Sequence, residues 1–269
     1  MHTSLITAAY AGLVAIGVTV AIERLGGRLG GLIGSIPTTI IPASLGFWWV
    51  AESTELFRES LYAVPAGMLV NALFLYSWRV LPPRLRIANL GLRLAAVVVL
   101  SLLGWGLCAA VLMTAMRQAP VALLWVAVLL CVGQLLFGLW ACLDNPPAPK
   151  GSRRVGPATL AARGVLAAAA IGVSVWMAGL GIVLLAGIAS VFPAIFLTTM
   201  VSVWISQGEA VQAGAVGPLM LGSASVSLYA IAAAFSIPTL GVWVGSALAW
   251  LLAVGCISIP AWYWLSREQ

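Results

Sequence analysis

Residues Gly31–Ile41 have the sequence GLIGSIPTTII, which places Pro37 inside an apolar run. Residues Gly187–Leu197 have the sequence GIASVFPAIFL, with Pro193 at the same distance from the leading glycine. A proline inside a helix removes a backbone hydrogen bond and clashes with the carbonyl group one turn earlier. The two stretches therefore predict a pair of apolar helices, each interrupted at its proline.

The surrounding chain has 269 residues, of which 62% are apolar and only 7% are charged. A soluble domain carries about 25% charged residues and about 45–50% apolar residues. The 13 Lys and Arg and the 7 Asp and Glu cannot cover the surface of a soluble enzyme of this length. Because a transmembrane helix takes about 20 apolar residues, the composition predicts an all-α integral membrane protein with many crossings.

Apolar runs between charged residues, prolines and glycines predict nine membrane-crossing segments. The predicted segments are Leu5–Ile22, Leu29–Val50, Leu61–Val80, Leu94–Met113, Val121–Cys142, Ala161–Ala178, Ile182–Ser206, Val216–Phe235 and Val242–Leu265. Pro37 and Pro42 interrupt the second segment, and Pro193 interrupts the seventh. The linker from Asp144 to Arg154 is too polar and too rich in proline to cross a membrane.

The basic residues predict the orientation of these nine segments. With alternating crossings, Arg58 and Arg117 fall on one side and all the other basic residues fall on the opposite side. That larger group is Arg24, Arg28, Arg79, Arg84, Arg86, Arg93, Lys150, Arg153, Arg154, Arg163 and Arg267. Basic loops stay in the cytoplasm, so we expect a bacterial inner-membrane protein with an external N-terminus and a cytoplasmic C-terminus.

The two proline-containing stretches belong to a longer internal repeat. Further residues match between the halves at offsets of 153 to 157, namely Glu52 with Glu209, Pro65 with Pro218, and Tyr76 with Tyr229. Segments one to four thus map onto segments six to nine, and the second copy enters the membrane from the opposite side. We therefore predict an inverted 4+1+4 repeat, with one repeat at 1–118, a connector helix and cytoplasmic linker at 119–157, and the inverted repeat at 158–269.

Helix breaks at matching positions of two inverted halves indicate the binding site of a transporter. Half-helix N-termini at the breaks would present N–H groups to an anion, and nearby hydroxyl and amide groups would complete the site. The predicted substrate-binding residues are Ser35, Pro37, Thr38, Thr39, Asn71, Gln134, Ser190, Pro193, Thr198 and Thr199. The alternative is that the breaks are packing kinks and that the two amides only join helices.

Glu52 and Glu209 lie at the ends of the two interrupted segments, so they are candidates for gating or proton coupling. Solvated helix ends explain the same positions equally well. The only histidine is His2, and the four cysteines lie far apart, so neither a metal site nor a cofactor is expected. A catalytic triad cannot be assembled from these residues, which disfavours an intramembrane enzyme.

The run Glu23-Arg24-Leu-Gly-Gly-Arg-Leu-Gly-Gly31, followed by Pro37, resembles a segment of small, largely uncharacterised bacterial integral membrane proteins. The overall arrangement is loosely similar to that of bile-acid/sodium symporter-type transporters with inverted repeats and crossed broken helices. This resemblance implies a transporter-like membrane protein. The glycines of the run have the small-xxx-small spacing that permits close helix approach.

These observations predict a secondary transporter of a small solute, an organic anion or a zwitterion, that works by alternating access. The alternative is a non-transporting subunit of a larger membrane complex, which would suit the high apolar content. A third possibility is lipid transport or lipid modification, which the cluster of Arg84, Arg86 and Arg93 permits. The expected partners are a small-molecule substrate and the lipid bilayer rather than nucleic acid. Either a homodimer or association with another membrane subunit is compatible with the composition.

Overall fold

A computed structural model describes residues 2–25, 36–118, 122–143 and 156–267, except for the side chains of 21–25, 206, 207 and 210. Within these residues the chain is all-helical, without strands. The helices are α1 His2–Leu25, α2 Ile40–Val50, α3 Thr54–Tyr62, α4 Val64–Val80, α5 Leu90–Arg117, α6 Leu123–Leu143, α7 Pro157–Gly179, α8 Val183–Ser190, α9 Ala194–Gln207, α10 Glu209–Leu240, α11 Val242–Ala253 and α12 Ile259–Arg267. A π-helical turn, Val254–Ser258, joins α11 to α12.

Eight helical stretches among the described residues are long and apolar enough to cross a membrane. They are His2–Val20, Thr54–Val80, Leu90–Arg117, Leu123–Leu143, Pro157–Gly179, Val183–Ile205, Val211–Leu240 and Val242–Arg267. Each overlaps one of the nine predicted segments, and the remaining segment corresponds to the shorter apolar helix α2. The described chain is therefore all-α and compatible with a multi-pass membrane protein.

The second predicted segment is described only from residue 36 onward, so its glycine-rich first half lies outside the described residues. Residues 36–39 are not helical, and α2 begins at Ile40. Pro42, which we expected to interrupt this segment, lies in the first turn of α2. A proline is tolerated there because the first helical N–H groups have no partner within the helix.

The helical stretch that overlaps the third predicted segment begins at Thr54, earlier than the predicted Leu61, because the short helix α3 precedes α4. Ser53 caps α3 and accepts a hydrogen bond from the Leu56 backbone N–H at 3.2 Å. Phe57 and Leu61 are buried, while Glu55 is exposed. Because the charged residues of this amphipathic helix interrupt the apolar run, the sequence predicted a start only at Leu61.

Helices α1 and α7 pack antiparallel along a seam of small residues. A Cβ atom added to Gly12 would lie 3.0 Å from the Gly164 carbonyl oxygen and 3.3 Å from the Ala168 Cβ. Further along the seam, a Cβ on Gly172 would lie 3.0 Å from the Ala8 Cβ. Close backbone approach of this kind is the usual way in which membrane helices associate.

The centre of the helical bundle is built around α4 and α10, which pack against each other and against α6. Their largest buried side chains include Phe74, Trp78 and Tyr229. Helices α5 and α6 instead expose large apolar side chains such as Leu107 and Trp125. This distribution suits a bundle whose core is protein and whose periphery faces hydrocarbon.

Candidate functional site

The predicted helix break at Pro193 is present, since α8 ends at Ser190 and α9 begins at Ala194. The turn between them is held by a hydrogen bond from the Phe192 N–H to the Ala189 carbonyl oxygen at 3.0 Å. After the break, Leu197 N–H donates to the Pro193 carbonyl oxygen at 2.7 Å. The backbone is therefore non-helical inside a stretch that is long enough to span a membrane.

Asn71 of α4 binds directly to this break. Its Nδ2 donates to the Val191 carbonyl oxygen at 2.6 Å, and its Oδ1 accepts from Trp105 Nε1 at 2.8 Å. The side chain is only 1% exposed. Asn71 thus satisfies a carbonyl group at the break and connects it to α5, a contact that the predicted substrate-binding role did not include.

Close packing of α3 and α4 against α8 fixes the position of the break. A Cβ atom on Gly67 would collide with the Val191 side chain and would lie 2.9 Å from the Ile188 carbonyl oxygen. A Cβ on Gly187 would collide with the Ser60 carbonyl oxygen. The absence of side chains at these two positions brings α3 and α4 against the backbone of α8.

The hydroxyl groups near Pro193 are bonded to the backbone. Ser190 Oγ donates to the Gly187 carbonyl oxygen at 2.7 Å. Thr198 Oγ1 is 2.9 Å from the Ala194 carbonyl oxygen, and Thr199 Oγ1 is 2.7 Å from the Ile195 carbonyl oxygen. These bonds are of the kind that rescue a helix next to a proline, as the kink alternative expected.

The other predicted break is described only in part. Ser35 lies outside the described residues, whereas Pro37 is buried and Thr38 and Thr39 are half-buried. Thr39 is the N-cap residue of α2, but its side chain forms no capping hydrogen bond. A hydroxyl group and the first N–H groups of an apolar helix therefore lie together at this point.

Gln134 of α6 is fully buried and bonds to α10. Its Nε2 donates to Ser223 Oγ at 3.1 Å, and its Oε1 accepts from Ser227 Oγ at 2.6 Å. Both ends of the amide are thus engaged by protein groups. In this arrangement Gln134 joins two helices, and the structure does not bring it to the Pro193 break.

Arg163 is a charged residue inside the bundle, although the sequence suggested only a cytoplasmic flanking charge. It lies in α7 and is 6% exposed. Its guanidinium donates to Thr19 of α1 at 2.9 Å, to Thr199 of α9 at 2.9 Å, and to Thr198 at 3.3 Å. Two of the four threonines predicted to bind substrate, Thr198 and Thr199, therefore accept hydrogen bonds from the guanidinium group of Arg163.

A second three-helix contact joins α1, α2 and α7. A Cβ atom on Gly46 of α2 would lie 3.1 Å from Thr7 Cγ2 and would collide with the Val175 side chain. Unlike the Arg163 contact, this one is made by apolar atoms.

The two candidate gating carboxylates have different surroundings. Glu52 is exposed in the connection between α2 and α3. Glu209, at the start of α10, forms an ion pair with Arg93 at 3.2 Å, and both side chains are partly exposed. The structure places neither carboxylate at the Pro193 break.

Among the described residues there is no cluster of His, Cys, Asp and Glu able to hold a metal ion. One surface cavity of about 260 Å³ is lined mainly by apolar groups, including Val50, Val175 and Trp176. It does not include the residues at the Pro193 break.

No family model, curated protein or solved structure matches the chain significantly.

Two functional candidates were missed at the sequence level. Trp105 has the ordinary signature of a lipid-facing aromatic residue, and only the folded structure shows its bond to Asn71. Arg163 is flanked by Ala161, Ala162 and Gly164, so it lies within an apolar stretch rather than beyond its end. That placement is the signal that could have identified it.

Proposed function

We propose that this protein is a secondary transporter of a small solute, an organic anion or a zwitterion. The observation that carries the proposal is the break between α8 and α9, whose Val191 carbonyl group is bound by the buried Asn71. Non-helical backbone is tolerated at membrane depth where it is buried in protein or lines a cavity. Broken helices are the elements from which many transporters build their binding sites.

An inverted repeat is supported by how the two three-helix contacts correspond. The offset of 156 residues that separates the two break prolines takes Thr7 to Arg163 and Thr19 to Val175. It takes Gly46 of α2 into α9, one turn beyond Thr199. The offset therefore maps the α1–α2–α7 contact onto the α7–α9–α1 contact. A two-fold axis in the membrane plane would relate two such contacts in this way.

Nine alternating crossings are supported by contacts between helix ends. Arg93 at the start of α5 pairs with Glu209 at the start of α10. Arg58 of α3 donates to the Ala234 carbonyl oxygen near the end of α10 at 3.2 Å. Each contact joins two ends that the nine-segment arrangement places on the same side. The excess of basic residues in alternate loops would place the Arg93–Glu209 contact on the cytoplasmic side of a bacterial inner membrane.

A non-transporting membrane subunit is the second candidate function. It is favoured by Gln134 and Asn71, since each buried amide has both its nitrogen and its oxygen bound to protein groups. Such saturated amides act as interhelical contacts without a substrate. The two functions differ in whether the purified protein alone moves a solute.

The test is solute counterflow with the purified protein in liposomes. Thermal-shift screening against small carboxylates, amino acids and sodium first identifies a stabilising ligand, since a ligand at 100 times its Kd stabilises by about 2.7 kcal/mol. We expect labelled ligand to accumulate in liposomes preloaded with the unlabelled compound. Stabilisation by a ligand that never crosses the membrane would instead contradict the transporter assignment.

A further inference from the structure

Gln212 is a buried amide whose oxygen the protein leaves unpaired. The side chain lies near the start of α10 and is fully buried. Its Oε1 has no hydrogen-bond partner among the described residues, and its Nε2 donates to the Met200 sulfur, a weak acceptor, at 3.3 Å. Asn71 and Gln134, in contrast, have both ends of the amide bound to protein groups. Because burial of an unpaired polar group is costly, Gln212 needs a different explanation.

A second unpaired group, the indole N–H of Trp78, packs against the same helix. Trp78 lies near the end of α4 and is fully buried, and its Nε1 has no partner within the part of the chain that the structure describes. Its ring packs edge-on against Trp204 of α9, with the centroids 6.2 Å apart. Met200, which Gln212 contacts, lies one turn before Trp204 in the same buried cluster. Helix α9 therefore covers both unpaired groups with one face.

Helix α9 has a break at each end. The turn at Pro193 separates it from α8, and Gly208 separates it from α10. Gly208 has a φ of +94°, a left-handed conformation that favours glycine. Hinges are commonly built from a few residues at the ends of an element. Since Arg163 binds Thr198 and Thr199 in the first half of α9, the helix can pivot there while its second half moves.

Gln212 and Trp78 lie close to a solvated end of the bundle. Glu209, one turn before Gln212, and its ion-pair partner Arg93 have side chains that are 31% and 25% exposed. The proposed nine-crossing arrangement places this end in the cytoplasm. Movement of the second half of α9 away from α4 and α10 would thus admit cytoplasmic water to both unpaired groups.

We propose that α9 is the cytoplasmic gate of the transporter and that Gln212 and Trp78 favour its opening. This inference rests on the proposed function and names the moving element of its access path. With α9 closed over them, as in the structure, the two groups have no partner among the described residues. With α9 open, water accepts from the indole N–H and donates to the amide oxygen. Unpaired groups that exist only in the closed state shift the equilibrium towards the open state.

The first test compares two buried amides. Gln212→Met keeps the length of the side chain and removes the unpaired oxygen, so it should raise the Tm by a few degrees. Gln134→Met is the matched control and should lower the Tm, because it removes the hydrogen bonds to Ser223 and Ser227. A Gln212→Met protein that does not fold, or whose Tm falls as in the control, would overturn the proposal.

The second test measures the opening of the gate. Val216→Cys, in a background without the native cysteines, places a thiol at a fully buried position one turn beyond Gln212. The thiol should react with 2-sulfonatoethyl methanethiosulfonate applied to inside-out vesicles, which expose the cytoplasmic side. Adding Gln212→Met should slow this reaction about fivefold or more, because the closed state is favoured. If Val216→Cys does not fold, Met220→Cys replaces it, since Met220 is buried in the same cluster.

Ala233→Cys is the control for the second test, because Ala233 is fully buried near the other end of α10. Gln212→Met should leave its reaction unchanged. The gate would be refuted by a thiol at Val216 that never reacts from the cytoplasmic side, or by a rate that Gln212→Met does not alter.

The outcomes separate the gate from the transport function. Slowed labelling in a protein without counterflow would leave the gate standing and remove the transporter. Counterflow together with labelling that is unaffected by Gln212→Met would leave the transporter standing and remove the gate.

Discussion

Asn71 is the residue through which the helix break is joined to the rest of the protein. Its amide accepts from Trp105 and donates to the Val191 carbonyl oxygen, so it connects α4, α5 and the turn between α8 and α9. The Asn71 side chain itself is only 1% exposed. Loss of the amide would leave a backbone carbonyl and an indole N–H without their partner.

Asn71→Ala should therefore destabilise the protein. A buried polar group without a partner costs about 1–3 kcal/mol, and two such groups are created here. We expect the Tm in detergent to fall by about 5 °C or more. Gln118→Ala, which removes an amide from an exposed position at the end of α5, is the matched control and should change the Tm little. An Asn71→Ala protein as stable as the control would show that the bonds to the break contribute nothing.

The threonines of the two breaks differ in what they bind. Thr198 and Thr199 bond to backbone carbonyl groups and contact Arg163, whereas Thr39 precedes α2 without a capping hydrogen bond. A hydroxyl group at an N-cap position is well placed to contact an anion held by the helix N–H groups. Thr38 and Thr39 therefore remain candidates for substrate contact.

Thr38→Ala or Thr39→Ala should impair transport while leaving expression normal. Loss of one hydrogen bond to an ionised substrate corresponds to about a tenfold effect or more. The measurement is the initial counterflow rate in liposomes containing equal amounts of parent or variant protein. Thr114→Ala removes a hydroxyl from the exposed side of α5 and is the control. If both variants transported at the parental rate, the binding site would have to lie elsewhere.

At the level of the helices, close backbone contact determines where α8 lies. The Gly187 position faces the Ser60 carbonyl oxygen, and a Cβ there would also come within 2.7 Å of the Ala63 Cβ. The backbone of α8 therefore leaves no room for a side chain at this point. If α8 shifted away from α3, both the turn at Pro193 and the hydrogen bond between Val191 and Asn71 would change.

Gly187→Ala should consequently destabilise the helix pair. Overpacking of a tight site typically costs about 1–3 kcal/mol, because the neighbouring backbone must move. Gly104→Ala is an informative control, since nothing lies within 4 Å of the added Cβ in α5 and alanine is the better helix former. The Tm should fall for the first variant and stay level or rise for the second. Equal Tm values for both would refute the packing at this position.

The elements that composition alone defines were predicted well. Apolar runs anticipated α5 and α6 to within a few residues, because their exposed faces carry the same apolar residues as a lipid-facing helix should. The break at Pro193 followed from local chemistry, since a proline removes a hydrogen bond wherever it stands in a helix. Helix α3 was missed because its charged face hides its buried Phe57 and Leu61.

The partners of the polar residues could not be predicted in the same way. Asn71 and Gln134 stood out as amides in apolar runs, but their partners are 120 and 89 residues away in the chain. Such contacts depend on the tertiary arrangement of the helices. The partners of Arg163 belong to the same class, because Thr19 and Thr199 lie 144 and 36 residues away in the chain.

At the scale of the whole molecule, the proposed repeat pairs two helix junctions that differ in chemistry. The junction at Thr7 and Gly46 is apolar and tight, while the junction at Arg163 is polar. Under the proposed inverted repeat, these junctions lie in opposite halves of the membrane.

The predicted topology has nine crossings, with the N-terminus external and the C-terminus cytoplasmic. Single cysteines placed at Glu52, Gln118 and Leu180, in a background with the native cysteines replaced, should react with a membrane-impermeant maleimide applied to intact spheroplasts. Cysteines at Arg86 and Arg267 should react only after the membrane is opened, because basic loops remain in the cytoplasm. Parental stability of each variant, measured by Tm, controls for misfolding. Labelling of Gln118 and Arg267 from the same side would require an even number of crossings between them, and an inverted second half could not then be built.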